Sequence, residues 1–258
     1  MACLESIAQI TSYPSYEIVL IDNGSESPET FRYYDKLRET GRVRLLRYSE
    51  PFNYAAINNY AVKEAKGDYL LFLNNDTEVI SPDWIEQMLT YSCRKDIGAV
   101  GAKLYYPDGS IQHAGVILGI GGIAGHAHKF FSRASRGYFN RLRIVQNLSA
   151  VTAACMMVRR DVFDEAGGFD ESFSHAFNDV DICMKIRQKG YLIVFTPYAE
   201  LYHHESKTRG YENTAEKQER FRRASELFRQ KWGHILEQGD PYYNPNLTLE
   251  KEDFSIKL

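Results

Sequence analysis

The stretch Asp68-Tyr69-Leu70-Leu71-Phe72-Leu73 is apolar almost throughout and stops abruptly at Asn74-Asn75-Asp76. A short run with no polar face reads as a strand covered on both sides. Such strands lie in the middle of a mostly parallel sheet that carries helices. Its surroundings agree. The run 16–21 ends at the turn sequence Asp22-Asn23-Gly24-Ser25, and 43–48 and 97–105 are further strands. Residues 28–39 and 53–66 read as helices, the second ended by Gly67, and Ser81-Pro82 reads as the cap and first position of another. This β-α-β-α-β order predicts an open α/β sheet with right-handed crossovers.

Further along, the pattern weakens. Glycine and histidine are frequent between 108 and 146, and 115–125 reads as a mobile loop. Order returns over 149–159, followed by a helix at 161–166 and Gly167-Gly168-Phe169-Asp170. A helix over 180–189, a strand over 191–196 and a charged helix over 214–232 follow. The tail 240–245 holds two prolines and reads as an extended wrap. No internal repeat or low-complexity linker divides the chain, so one domain over 1–258 is the economical reading.

Composition removes several function classes. Lys plus Arg is 31 against 34 for Asp plus Glu, a net charge of −3, which does not suit a broad nucleic-acid face. Cys3, Cys93, Cys155 and Cys183 form no CxxC pair, which argues against a zinc ribbon or disulfide framework and for a reducing compartment. No apolar run approaches the roughly 18 residues of a membrane helix, and the start MACLESIAQI lacks the basic and apolar regions of a signal peptide.

Ligands of open α/β sheets bind at the carboxyl ends of strands. Asp76, at the end of the most apolar strand, can bind Mg²⁺ or Mn²⁺ through oxygen; the alternative is a polar turn whose side chains cap the backbone. Asp179 and Asp181 stand two apart at a helix start, where the macrodipole keeps carboxylates ionised. Only one of them can face a given cleft. The functional reading is a general base, the alternative a favourable N-terminal cap. His203-His204 end a strand and offer a metal-ligating imidazole. His113, His126 and His128 suggest zinc, but no ligand set of the usual spacing completes it, which favours loop hydrogen bonding. Gly121-Gly122 and Gly167-Gly168 lack a GxGxxG or GxxxxGK[ST] context, against dehydrogenases and P-loop enzymes.

Taken in order, YEIVLIDNGS, GDYLLFLNNDTEV, PDWIEQML, GGFDE, NDVDICMKIRQKGY and AELYHHESKTRG resemble family 2 glycosyltransferases of the GT-A fold, over nearly the whole chain. The QHAG, GHAH and DPYYNPNLT segments resemble bacterial enzymes that build O-antigen and other surface polysaccharides. The resemblance implies an open mixed, mostly parallel sheet flanked by helices. It divides the chain into a donor-nucleotide half (1–105), an acceptor and catalytic half (106–212) and a C-terminal helix with its tail (213–258). It implies that Asp22 contacts the donor nucleobase, with Asn23, Asn53, Asn58 and Asn75 also on the donor side. Asn74 and Asp76 fall on the DxD motif, whose last Asp holds the divalent metal, Mn²⁺ or Mg²⁺. Asn replaces its first Asp here. Asp179 matches the catalytic base, and Asn178 stands where the family has the preceding acid. His203 matches a late metal-ligating histidine, with His204 as the alternative. Gly168, Phe169, Asp170 and Asn178 fall on the acceptor side.

The implied reaction is inverting transfer from a UDP- or dTDP-sugar to a glycan or polyprenyl-linked acceptor, in the cytoplasm or at the inner membrane face. Lys129, Arg133, Arg136, Arg141 and Arg143 suggest contact with an acceptor diphosphate or the membrane, or else an ordinary solvated face. The chain starts inside what is the first helix of the family, so the usual first strand and its nucleotide-contacting loop are missing from it. That absence leaves a sheet edge open to a second copy or to another segment. It also supports a second hypothesis, a catalytically silent module that binds glycans or a partner. A magnesium-dependent phosphatase or nucleotidyltransferase is disfavoured, because no nucleophilic Asp-x-Asp or phosphate-binding lysine motif accompanies Asp76.

Overall fold

A computed structural model describes residues 1–204 and 214–257. The ESKTRG end of the last motif and the expected boundary at 212 lie outside them. The chain runs through α1 (Ala2–Ile10), β1 (Ile18–Asp22), α2 (Pro28–Glu39), β2 (Val43–Arg47), α3 (Tyr54–Glu64), β3 (Tyr69–Leu73), β4 (Thr77–Val79), α4 (Trp84–Ser92) and β5 (Ile97–Tyr105). The short strands β6 (Ile111–His113), β7 (Val116–Leu118), β8 (Ala124–His126) and β9 (Gln146–Leu148) come next. Then follow β10 (Cys155–Arg159), α5 (Arg160–Glu165), α6 (Asn178–Gln188), β11 (Leu192–His203) and α7 (Ala215–Gln238).

The main sheet has the order β3-β10-β5-β11-β4, with β6 beside β5 and β9 beside β11. It is mixed, with fewer parallel ladders than expected. β5 and β11 run parallel, but β10 lies antiparallel between β3 and β5, and β4 antiparallel to β11. Apolar runs report burial on both faces and carry no direction, so the inserted β10 left no mark in the pattern. β1 and β2 form a parallel pair of their own, and no ladder joins them to the larger sheet among the described residues.

Alternation along the strands feeds two apolar clusters, one on each face. Met156 and Val158 of β10 with Ile193 and Phe195 of β11 join one, covered by α3, α5, α6 and α7. Cys155, Met157 and Val194 join the other, covered by α1 and α4. The helix starts follow capping chemistry. Ser27, Asn53 and Thr214 accept backbone N–H bonds from Glu29, Ala56 and Lys217, with Pro28 at the first position of α2.

Several expectations fail locally. Gly67 is not the cap of α3, which ends at Glu64 with Ala65 already extended. Ser81 does not cap α4; its hydroxyl instead accepts the Glu200 N–H at 2.9 Å, and the helix begins at Trp84. The segment read as a mobile loop contains the β7–β8 hairpin, in which Ile117 and Leu118 are fully buried. Gly115 opens that hairpin at φ +99°, where an added Cβ would lie 1.9 Å from Leu148 Cδ1. The tail folds in turns. It packs Tyr243, Leu247 and Phe254 on Ile117 and Ile120, and Asp240 accepts the Leu118 N–H at 2.7 Å.

Candidate active site

β3 and β11 deliver their carboxyl ends to one place. The β4–β11 register pairs His203 with Thr77, which sets the imidazole over the Asn74–Asp76 turn. His203 Nε2 lies 3.1 Å from Asp76 Oδ1 and 3.2 Å from Asn74 Nδ2. On the other side, His203 Nδ1 donates to Gln112 Oε1 at 2.6 Å, and Gln112 Nε2 donates back to the His203 carbonyl at 3.2 Å. Gln112 thus fixes the ring proton at Nδ1 and turns the Nε2 lone pair toward Asp76. Burial alone would raise the Asp76 pKa; an imidazolium at His203, donating from Nε2, outweighs it and lowers the carboxyl below its ordinary value, as positive charge between the two groups does. A carboxylate oxygen and an imidazole lone pair this close need a proton or a cation between them. The pair therefore fits a divalent cation that completes its shell with substrate oxygens. No cluster of three or more His, Cys, Asp or Glu able to hold a metal forms among the described residues. His204 turns away, its Nε2 2.9 Å from Glu78, and Asn75 is exposed on the turn.

Asp179 reaches the same place from α6. Its Oδ2 accepts the Ala153 N–H at 3.4 Å and its Oδ1 the Val180 N–H at 2.9 Å. The neighbouring Ala154 carbonyl accepts the Asn74 N–H at 3.0 Å. Segment 152–154 thus touches the Asn74 turn and the half-buried Asp179 at adjacent residues. Burial raises the Asp179 pKa, against hydrogen bonds from Thr152 and from the Val180 and Ala153 amides. Phe177, just before α6, adopts φ +60°, a strained backbone for a bulky residue. Its ring is held against Phe221 and Phe228, with centroids 5.3 and 5.5 Å away. Asp181 points the other way. It is fully buried and its Oδ1 accepts from Trp232 Nε1 at 2.8 Å and Lys231 Nζ at 2.7 Å. Of the two acids only Asp179 bonds to segment 152–154, while Asp181 is turned toward α7.

The other residues singled out in the sequence are placed unevenly. Asp22 is buried, its Oδ1 accepting from Ser25 N–H at 3.1 Å and Tyr34 OH at 3.2 Å. Burial would raise its pKa, but these bonds and Arg47 lower it. Asn23 ties the two strand ends together by donating to the Tyr48 and Glu50 carbonyls at 3.0 and 2.9 Å. Beside it a cavity of about 450 Å³ is lined by Gly24, Arg47, Tyr48 and Phe52. A second cavity, under the tail, is lined by Tyr138, Tyr242 and Phe254 and by none of Asp76, Asp179 and His203. The amide of Asn53 caps α3 and donates to the Glu171 carbonyl, and that of Asn58 donates to the Tyr54 carbonyl one turn back.

The acceptor side needs correction. Phe169 is a core residue, ringed by Tyr54, Phe72 and Phe163, and cannot touch a sugar. Asn178 is buried and donates to the Phe173 carbonyl. An apolar and a polar residue beside glycines gave no sign of which way they turn. Gly168, at φ +65°, packs against Asn59. Asp170 is ion-paired with Lys231 at 2.6 Å, which with the Ser172 bonds overcomes burial and lowers its pKa to about 2. Among the basic residues, Arg133 pairs with Glu200, Arg141 donates to the Tyr242 carbonyl and Arg143 to the Ala134 carbonyl. Sequence reasoning missed Gln112, Thr152 and Lys231. Only Gln112 left a signal, as part of the QHAG segment.

Comparison with known proteins identifies the family and the fold. Residues 2–167 match Glycosyl transferase family 2, and 105–236 match Glycosyl transferase family group 2. An uncharacterized protein y4gI of Sinorhizobium fredii is 49% identical over 99% of this chain, and the O-antigen biosynthesis protein RfbC of Myxococcus xanthus 39% over 98%. The chain spans only 28% and 20% of those two proteins. The N-acetylglucosaminyl-diphospho-decaprenol L-rhamnosyltransferase of Mycobacterium tuberculosis is 27% identical over 80% of this chain and 72% of its own length. GalNAc-T7, solved with UDP, GalNAc and Mn²⁺, superposes with a TM-score of 0.65 at 19% identity over 87% of this chain and 44% of that one. The mannosyltransferase PcManGT of Pyrobaculum calidifontis, solved with GDP-Man and Mn²⁺, gives 0.62 at 17% identity over 91% of this chain and 63% of its own. These superpositions show the GT-A fold, and the match over residues 2–167 shows that this chain belongs to glycosyl transferase family 2.

Proposed function

We propose that this chain is the catalytic domain of an inverting, metal-dependent glycosyltransferase that moves a sugar from a nucleoside-diphosphate donor to a glycan or polyprenyl-linked acceptor in surface polysaccharide synthesis. The observation that carries this reading is the meeting of Asp76, His203 and Asp179 around segment 152–154. The names of the O-antigen and rhamnosyltransferase relatives support the product class and the lipid-linked acceptor.

Asp179 takes the proton of the acceptor hydroxyl while that oxygen bonds to the anomeric carbon. The bond from that carbon to the diphosphate oxygen breaks, and the nucleoside diphosphate leaves with the electron pair. One carboxylate suffices because no covalent intermediate forms, the same logic that separates inverting from retaining hydrolases. Asp76 and His203 would hold a divalent cation, which would supply positive charge against the departing diphosphate. Gln112 keeps His203 in the ligating tautomer, and the Ala153 amide orients Asp179. Asp22, Asn23 and the cavity beside them receive the nucleobase.

Thermal denaturation with UDP or dTDP, with and without Mn²⁺, tests the donor site. At a hundredfold excess over Kd, binding adds about 2.7 kcal/mol, a rise of roughly 5–10 °C for a domain this size. The rise is expected with one nucleotide, only with Mn²⁺, and not in Asp76→Ala. If no nucleotide shifts the midpoint, the silent-module reading takes its place.

A further inference from the structure

His113 and His126 lie outside the roles assigned above, and their hydrogen bonds settle each other's protonation. His113 is fully buried at the end of β6. Its Nε2 accepts the Gly115 N–H at 3.3 Å and the Thr152 N–H at 3.4 Å. A ring nitrogen that accepts two N–H bonds carries the lone pair, so the single proton of the neutral ring sits on Nδ1. That Nδ1 lies 2.8 Å from His126 Nδ1, with the rings edge to face at 84°. His113 is the donor in this contact, His126 Nδ1 the acceptor, and the proton of His126 is therefore on Nε2.

Burial and the positive charge of Lys129 keep the His126 ring neutral, with its pKa lowered to about 4. The half-buried His126 leaves its Nε2–H without a partner among the described residues. The pair is anchored beside the reacting groups. Thr152 N–H holds His113, and the next amide, Ala153 N–H, holds Asp179. Val116 at the start of the hairpin bridges Ala150 on the same stretch of chain. The cavity assigned to the nucleobase lies instead at the ends of β1 and β2.

We propose that His126 is a positioning residue for the acceptor. Its fixed, neutral Nε2–H donates to an oxygen of the acceptor sugar next to the hydroxyl that Asp179 deprotonates, and His113 sets that donor by holding the tautomer. A neutral donor suits an uncharged hydroxyl or ring oxygen. This inference rests on the glycosyltransferase reading above.

Two measurements on the intact chain test it. The first is independent of turnover: long-range ¹H–¹⁵N correlation of the imidazoles, expected to show His126 protonated at Nε2 and His113 at Nδ1. The reverse tautomers overturn the proposal whether or not sugar transfer is ever detected. The second is kinetic, with His126→Phe and His126→Gln. Loss of one neutral hydrogen bond predicts a three- to tenfold rise in acceptor KM in His126→Phe, on the order expected for such a bond. Donor KM and the nucleotide-dependent thermal shift stay unchanged, and His126→Gln, which keeps an N–H, recovers most of the loss. If wild type transfers sugar and His126→Phe changes thermal stability but not acceptor KM, the pair is only a clamp for the hairpin. If wild type transfers no sugar from any donor, the underlying reading fails, and the tautomer assignment stands or falls by the first measurement.

Discussion

Asp179→Asn is expected to lower kcat by about 10²–10⁴-fold, the usual range for a positioned general base, with the nucleotide-dependent thermal shift preserved. The amide oxygen keeps one of the Ala153 and Val180 N–H bonds, which Asp179 accepts on separate oxygens, so the isosteric group stays in place while it loses its basicity. The pH dependence gives a second readout. Asp179 acts only as the carboxylate, and burial holds its pKa above the ordinary 3.8. Activity is therefore present above that raised value and falls as pH drops through it. The acidic limb belongs to Asp179 and disappears from the residual rate of Asp179→Asn. A variant that keeps wild-type kcat, or an acidic limb that survives the substitution, would remove Asp179 from the mechanism.

The second large effect is on stability. Lys231→Met removes the ammonium that joins Asp181 at 2.7 Å and Asp170 at 2.6 Å. Asp181 is fully buried, and its Oδ2 has no hydrogen-bond partner among the described residues, so Trp232 Nε1 would be the side-chain donor left to it, with the Lys185 charge nearby. Leaving a buried carboxylate without its counter-charge costs about 3–5 kcal/mol. The side chain of Lys231 is 31% exposed, so the lower end applies. About 3 kcal/mol corresponds to a fall of roughly 6–12 °C in Tm. Calorimetry of Lys231→Met and of Lys231→Met with Asp181→Leu distinguishes the causes. The double variant is expected to regain much of the loss, because the orphaned charge is gone. An unchanged Tm in the single variant would mean that α7 docks through Phe228 and Trp232 alone.

The main elements were legible where one physical rule dominated. The apolar run of β3 announced a covered strand, the amides and acid after it announced a strand-end site, and the two-residue spacing of Asp179 and Asp181 required that one face inward. Strand direction was not legible, because β10 buries both faces whichever way it runs. The hairpin at 116–126 was hidden because its glycines, which allow close approach and positive φ, look the same in sequence as those of a mobile loop. Phe169 and Asn178 sit beside functional motifs yet point into the core, and motif membership does not encode side-chain direction. Gln112 and Lys231 act through partners about 90 and 50 residues away, separations no local pattern records.

The separation of β1 and β2 from the main sheet has a consequence for cooperativity. No backbone ladder transmits order from β3 to this pair, α2 buries none of its residues fully, and most of β1 is only half-buried. The cavity proposed for the nucleobase is therefore expected to lie on a sub-global unfolding unit that opens at lower free energy than the strands carrying Asp76 and His203. Amide exchange in β1 and β2 proceeds through that opening while β5, β10 and β11 stay protected. Nucleotide binding slows exchange in the first set and leaves the second unchanged, so part of the binding free energy appears as local order on the donor side.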